Sequence, residues 1–230
     1  MTSAAIEAIH DGTLWRITGG PLQTNAYLLP APGHRTAGSE CIVIDPGLDH
    51  EALQKALQRT GWVPRAVLCT HGHFDHIGGT AWVQDAYDVP VYMRRPDIQV
   101  AGLSNFLMKA FKLPGQVTQP RFTALDGDAT VVHAAGRHCT FHALPGHTPG
   151  SAGIAVEGLL FSGDTLYARG TALSKLPGAN AATLRTSLQH LFAITPDNTL
   201  VLPGHGPGAR LSEIREHNLA LRELMDIATA

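Results

Sequence analysis

A single short run, Thr-His-Gly-His-Phe-Asp-His at positions 70–76, concentrates three histidines and one aspartate within six residues. It directly follows the apolar stretch Arg65–Thr70, which predicts a buried strand. His71 and His73 lie two residues apart, so their side chains point the same way if the segment is extended. The last two ligands of the run come where the chain must turn, so they can reach a neighbouring point. The run therefore predicts a site at a strand end that can hold two metal ions side by side.

Strand-like and helix-like stretches alternate around this run, which predicts a layered α/β architecture. In the first half we predict strands at 13–18, 24–30, 40–45, 65–70 and 89–93, and helices from Asp49 to about Thr60 and at 79–87. In the second half we predict strands at 129–133, 140–144, 153–156, 159–162 and 199–202, and helices at 181–192 and 211–227.

Three further candidate ligands, His147, Asp164 and His205, stand in similar surroundings. Each follows a predicted apolar strand and has a glycine beside it. Strand ends and tight loops are where α/β folds place their functional groups. One histidine beside a glycine is weak evidence, but next to the 70–76 run His147 and His205 are the expected completing ligands.

Composition indicates an ordinary globular protein. With 230 residues we expect one domain covering 1–230, and a net charge of −2 gives no reason to expect nucleic acid as a partner. The N-terminus does not resemble a signal peptide, and no stretch of about 18 apolar residues predicts membrane association. Cys41, Cys69 and Cys139 are expected to be buried thiols, which suits a cytoplasmic location.

Four segments, read in chain order, resemble one family. They are THGHFDHIGG, PGHTPGS, FSGDTLY and PGHG, and the match spans residues 70–208. Together they resemble the metallo-β-lactamase superfamily, and within it the glyoxalase II-type thioesterases in their short bacterial form (the hydroxyacylglutathione hydrolase type). The stretches 176–180 and 216–218 add to that likeness. The resemblance implies a four-layer αββα sandwich with the metals at one edge between the two sheets.

The resemblance also implies a ligand set and a mechanism. Two divalent ions are expected, zinc first, with iron or manganese as alternatives. A hydroxide bridging the metals is expected to attack the carbonyl of a small acyl substrate, with Asp75 orienting it and accepting its proton. Asp45 resembles a position that supports the metal-site loop, and it is equally well a turn residue before Pro46. The metal ligands are assigned as His71, His73 and His147 to the first ion, Asp75, His76 and His205 to the second, and Asp164 to both.

This chain departs from the family in a region that bears on the substrate. Members carry Gly-Arg and an acidic or aromatic residue after the bridging aspartate, whereas this chain has Leu173 at the arginine position and Lys175 two residues later. As in the short bacterial form, we expect no counterpart of the helical domain that supplies glutathione-binding cations in full-length glyoxalase II. Hydrolysis is therefore expected, while the acyl group and recognition of glutathione stay open. Candidate substrate contacts are Tyr167, Lys175, Phe106 and Phe111.

The segment Arg94–Arg121 mixes apolar residues with basic flanks and predicts a short amphipathic helix. It lies where the family varies in length. One interpretation is a lid or pocket wall with Phe106, Met108 and Phe111 facing the substrate. The other is a helix packed on the core or on a partner subunit, which is compatible with a homodimer.

Other functions on this fold remain alternatives. A persulfide dioxygenase uses a mononuclear iron site with two histidines and one aspartate, and the full second set of ligands here favours hydrolysis instead. Lactones and β-lactams also present activated carbonyl groups that would suit the site. A metal-retaining regulatory protein would bind metal without turning over any acyl compound.

Overall fold

Two β-sheets form the centre of the molecule. The computed structural model describes residues 4–33, 36–171, 174 and 176–226. Seven strands form the first sheet, in which spatial order follows chain order: β1 (Ala5–Ile9), β2 (Leu14–Gly19), β3 (Thr24–Pro30), β4 (Glu40–Ile44), β5 (Val63–Leu68), β6 (Val91–Arg94) and β7 (Phe122–Leu125). The second sheet contains β8 (Ala129–Ala134), β9 (Arg137–Ala143), β10 (Ala152–Val156), β11 (Leu159–Gly163), β12 (Leu200–Pro203) and β13 (Ala209–Arg210). Its spatial order is β13-β12-β11-β10-β9-β8.

Helices cover the outer faces of both sheets. They are α1 (His50–Thr60), α2 (Phe74–Ile77), α3 (Thr80–Tyr87), α4 (Arg95–Gly102), α5 (Ser104–Ala110), α6 (Ala181–Ile194), α7 (Leu211–His217) and α8 (Leu219–Leu224). The longest described helix, α6, has 14 residues, fewer than the about 20 that cross a bilayer.

Three apolar layers separate four layers of secondary structure. Alternate residues of β4 show this directly, because Cys41 and Val43 pack toward α1 and α3 whereas Ile42 and Ile44 pack toward the second sheet. A third apolar cluster lies between the second sheet and α6, α7 and α8. The order is therefore helices, sheet, sheet, helices, which confirms the predicted layered α/β fold. The three cysteines are buried and unpaired, as predicted.

The helix predicted from Asp49 to Thr60 forms, because it has a capping residue at each end and one apolar face. The Asp49 side chain accepts a hydrogen bond from the Ala52 amide at 3.0 Å, and Gly61 ends the helix in the left-handed conformation at φ 66°. Leu53 and Leu57 are among the buried residues of its inner face.

Two predicted elements differ in the structure. The closing helix is two helices, because Asn218 ends α7 and its side chain accepts a hydrogen bond from the Leu221 amide to start α8, while Ile227 lies outside the described residues. The single amphipathic helix predicted within 94–121 is also two helices, α4 and α5. Met108 of α5 is buried in the core and does not face a substrate pocket, whereas Phe106 is 68% exposed.

Parallel strands bring the candidate site residues to one edge. Strands β4 to β7 are parallel, and β11 is parallel to β12. In such sheets the residues that follow the carboxyl ends meet in a shared crevice. Strand β9 runs in the same direction as β11, because both are antiparallel to β10. The residues that follow the carboxyl ends of these strands are Asp45 after β4, 71–76 after β5, His147 after β9, Asp164 after β11 and His205 after β12.

Candidate metal centre

Three histidines from two loops converge at this edge. His73 Nδ1 lies 3.1 Å from His71 Nε2 and 3.0 Å from His147 Nε2. All three side chains are buried. A tetrahedral zinc ion bound at about 2.0–2.1 Å by imidazole nitrogens would hold those nitrogens about 3.3 Å apart. The three nitrogens therefore fit one divalent cation with only small movements.

A second triad, Asp75, His76 and His205, lies beside the first. Asp75 Oδ2 is 3.4 Å from His205 Nε2 and 3.6 Å from His76 Nε2. Asp164 lies between the triads, with Oδ1 3.3 Å from His76 Nε2 and Oδ2 3.5 Å from His147 Nε2. One carboxylate thus reaches a histidine of each triad, as a bridging ligand must. The structure brings all seven predicted ligands together, and their binding of metal stays a prediction.

Two polar atoms at the centre of this cluster support the fit to a cation. Among the described residues, His76 Nε2 and Asp164 Oδ1 are buried and have no hydrogen-bond partner. They face each other at 3.3 Å without the alignment of a hydrogen bond. A buried polar atom left unpaired costs about 1–3 kcal/mol, so native proteins rarely tolerate two together. A cation between these atoms would satisfy both.

The two triads differ in their electrostatics. Burial, together with neighbouring histidines, lowers the pKa of His71 well below its usual value and that of His73 to about 4. Neutral imidazoles keep their lone pairs available for a metal. In the second triad burial acts the same way, but Asp164 and Asp75 outweigh it, raising the pKa of His76 well above its usual value and that of His205 to about 9. A proton and a divalent cation therefore compete for the nitrogens of His76 and His205.

Asp45 supports the ligand loop from behind. Its Oδ1 accepts a hydrogen bond from the Thr70 amide at 2.8 Å, and its Oδ2 accepts one from Thr70 Oγ1 at 2.6 Å. The same Oδ2 lies 2.9 Å from His76 Nδ1. Asp45 clusters with His71 and His76, but both of its oxygens are engaged, so it orients His76. These contacts agree with the interpretation of Asp45 as a support of the metal-site loop, and its φ of 46° lies in the left-handed region.

Two residues at the start of β3 contact the same cluster, and the sequence analysis missed them. Thr24 Oγ1 donates a hydrogen bond to Asp75 Oδ2 at 2.8 Å. The side-chain Nδ2 of Asn25 donates a hydrogen bond to the Pro203 carbonyl at 2.9 Å and so fixes the loop that carries His205. Local sequence carries no signal for these contacts, because they arise from the antiparallel pairing of β3 with β4, which places the first residues of β3 beside the carboxyl end of β4.

Of the candidate substrate contacts, Tyr167 lies at the cluster. Its ring centroid is 6.2 Å from that of His205. Burial, reinforced by the nearby Asp164 carboxylate, raises the pKa of the Tyr167 phenol above its ordinary value. The phenol is therefore a neutral hydrogen-bonding group at physiological pH.

The other candidate contacts lie elsewhere or outside the described part of the chain. Phe111 is 47% exposed and packs against Phe74 with ring centroids 5.7 Å apart. Phe74 stands between two ligands of the 70–76 run, so Phe111 lies close to the ligand loop. Lys175 and Leu173 are outside the residues that the structure describes.

Comparison with known proteins agrees with this geometry. The family model described as "Metallo-beta-lactamase superfamily" matches residues 19–205. A probable metallo-hydrolase, YqgX of Bacillus subtilis (strain 168), is 33% identical over 195 residues, 84% of this chain and 89% of YqgX. The hydroxyacylglutathione hydrolase of Erwinia tasmaniensis is 28% identical over 89% of this chain and 66% of its own length.

Two solved structures share the fold closely. BLEG-1, described as a B3 metallo-beta-lactamase, has a TM-score of 0.79 and 31% identity, covering 90% of this chain and 99% of BLEG-1. TTHA1623 in a di-iron-bound form has a TM-score of 0.78 and 33% identity, covering 89% and 98%. The chain belongs to the metallo-beta-lactamase superfamily. Its cluster of histidines and aspartates can hold metal ions.

Proposed function

We propose that this protein is a binuclear metallohydrolase that cleaves thioesters or related activated acyl compounds. The observation that supports this most strongly is the completeness of both triads around Asp164. A chain that held only one ion would not need the second triad. The proposed metal is zinc, because three imidazoles suit it, and iron is the alternative because TTHA1623 has a di-iron-bound form.

The chemistry divides between the bound ions and the side chains of the chain. Two divalent ions would supply Lewis acidity and make a water molecule acidic enough to ionise near neutral pH. Asp75 is held by Thr24 at Oδ2, so its carboxylate has a fixed direction at the centre of the cluster. We assign it the role of orienting the attacking water and accepting its proton. The Tyr167 phenol beside His205 is assigned to a hydrogen bond with the substrate.

The role of Asp75 has a direct test. The Asp75→Asn variant keeps the shape of the side chain and one oxygen but is a far weaker proton acceptor. We expect turnover to fall by about 10²–10⁴-fold, the usual range for a lost general base. Because Asp75 is also a proposed ligand of the second ion, turnover is compared in protein shown by metal analysis to hold two ions per chain. Full activity in that variant would refute the assignment.

Thioesters are the preferred substrate class because the relative from Erwinia tasmaniensis is a hydroxyacylglutathione hydrolase. β-Lactams are the second candidate, because BLEG-1 is described as a B3 metallo-beta-lactamase and matches nearly the whole chain. Persulfide oxidation is disfavoured, since it needs a mononuclear iron site whereas a second triad is assembled here.

A substrate panel separates these candidates. The purified protein with its metal content determined would be assayed against thioesters including S-lactoylglutathione, lactones, β-lactams, and glutathione persulfide with O₂ uptake. We expect thioesters to be hydrolysed with the highest kcat/KM. A preference for β-lactams, oxygen uptake with the persulfide, or bound metal without hydrolysis of any acyl compound would overturn the thioesterase proposal.

A further inference from the structure

A buried aspartate outside the seven predicted ligands joins the two loops of the first triad. Asp97 is the third residue of α4 and is completely buried. Its Oδ2 accepts hydrogen bonds from the Gly72 amide and from Thr148 Oγ1, both at 2.7 Å. Its Oδ1 accepts one from the Gly150 amide at 2.5 Å. Burying a carboxylate is costly, and these three donors from outside its own helix compensate for it.

The donors belong to the loops that carry the imidazoles. Gly72 stands between His71 and His73, and Thr148 directly follows His147. The Asp97 carboxylate therefore links the loop that carries His71 and His73 to the loop that carries His147.

The backbone at Gly72 and at Gly150 also lies in close contact with Asp97. A Cβ at Gly72 would overlap the Asp97 carbonyl oxygen, and a Cβ at Gly150 would lie 2.7 Å from the Asp97 amide nitrogen. Both loops thus lie against the first turn of α4 without space for a side chain. A shift of Asp97 would move both loops relative to each other.

We propose that Asp97 is a positioning residue that sets the spacing of the three imidazoles of the first metal site. This rests on the proposed binuclear centre and adds that Asp97 supports the first ion more than the second. Asp97 bonds the Gly72 and Thr148 loops of the first site. Asp45 lies beside His76 of the second site and reaches His71 of the first through the Thr70 hydroxyl. A residue that only stabilised the fold would affect both ions equally.

The test is metal binding in the Asp97→Asn variant. Asparagine keeps the size of the side chain but replaces one acceptor oxygen with an NH₂ group. That group cannot accept the hydrogen bonds that Gly72, Thr148 and Gly150 donate to Asp97. Zinc affinities of the metal-free protein would be measured by chelator competition, and cobalt(II) absorption would report the geometry of each ion. The first site is identified as the binding step that disappears in His147→Ala.

We expect the first zinc affinity of Asp97→Asn to fall by about 10- to 100-fold, the usual effect of removing a partner that orients metal ligands. The second affinity is expected to change less than the first, and the cobalt spectrum of the first ion to shift. The matched control is Asp126→Asn, which removes an exposed carboxylate paired with Arg95 and should leave both affinities unchanged. Equal losses at both sites in Asp97→Asn, or no loss, would overturn the proposal.

A gentler pair of variants applies even where Asp97→Asn does not fold. Thr148→Val removes the hydroxyl that donates to Asp97, whereas Thr148→Ser keeps it. We expect Thr148→Val to weaken the first site and Thr148→Ser to bind like the unchanged protein. Identical affinities in the two variants would contradict the proposal. These measurements use no substrate, so a chain that binds two ions but hydrolyses no acyl compound would overturn the proposed function and leave this inference standing.

Discussion

His76 shows at the residue scale how the cluster is built. Its Nδ1 lies 2.9 Å from Asp45 Oδ2, which leaves Nε2 directed at Asp164 and Asp75. One ring nitrogen is thus used for orientation and the other is free for a cation. The ring is completely buried, so these neighbours and the close approach of Gly204 fix its position.

Asp45→Asn tests the support of His76. Asparagine tolerates the positive φ of this position, so the backbone is expected to remain as it is. The lost acceptor is expected to weaken the second metal site by about 10- to 100-fold, as is usual when the partner of a metal-binding histidine is removed. The zinc that the protein retains after dialysis against a chelator measures this loss of affinity at the second site. Unchanged zinc retention would contradict the role of Asp45 in orienting His76.

Gly204→Ala tests how tightly the residues around the second triad are packed. A Cβ at Gly204 would overlap Asp164 Oδ1 and the His76 ring, so these groups must separate. We expect loss of the second metal and of activity. Gly102→Ala is the control, because a Cβ there meets nothing within 4 Å, and it should leave metal content unchanged. Normal metal content in Gly204→Ala would contradict the packing described.

At the scale of elements, the loops around the site are fixed by residues that end or begin helices. Asn218 separates α7 from α8, and its side-chain Nδ2 donates hydrogen bonds to the Tyr167 carbonyl at 3.1 Å and the Gly170 carbonyl at 2.8 Å. The break in the closing helix therefore holds the chain that follows Asp164. Helical spacing alone predicted one continuous helix, because the apolar positions of 211–225 do not reveal that a buried asparagine is needed there.

Asn218→Ala is expected to lower the free energy of unfolding by about 1–3 kcal/mol, since it removes a helix cap and leaves two carbonyl groups without their donor. Denaturant unfolding of the metal-free protein measures this. Asn180→Ala is the comparison, because Asn180 caps α6 through one hydrogen bond from the Thr183 amide. Its expected loss is about 1 kcal/mol. A larger loss for Asn180→Ala would contradict the assigned role of Asn218.

At the scale of the whole molecule, the candidate ligands and one support, Asp45, could be predicted from the sequence, whereas the supports Asp97 and Thr24 could not. The spacing of His71 to His76 and the glycines beside later strand ends identified the cluster, because local sequence places a ligand at a strand end. Asp97 lies 25 residues from Gly72 and 51 from Thr148, so only the packing of α4 against both loops brings them together. Thr24 likewise meets Asp75 across 51 residues. Such contacts depend on the fold as a whole.

The dependence of activity on metal tests the binuclear account most directly. The metal-free protein would be titrated with zinc while thioester hydrolysis and bound metal per chain are both recorded. We predict that two ions bind per chain, that activity reaches its maximum only with the second, and that a chelator removes it reversibly. Saturation at one ion per chain, or hydrolysis that persists without metal, would contradict the account.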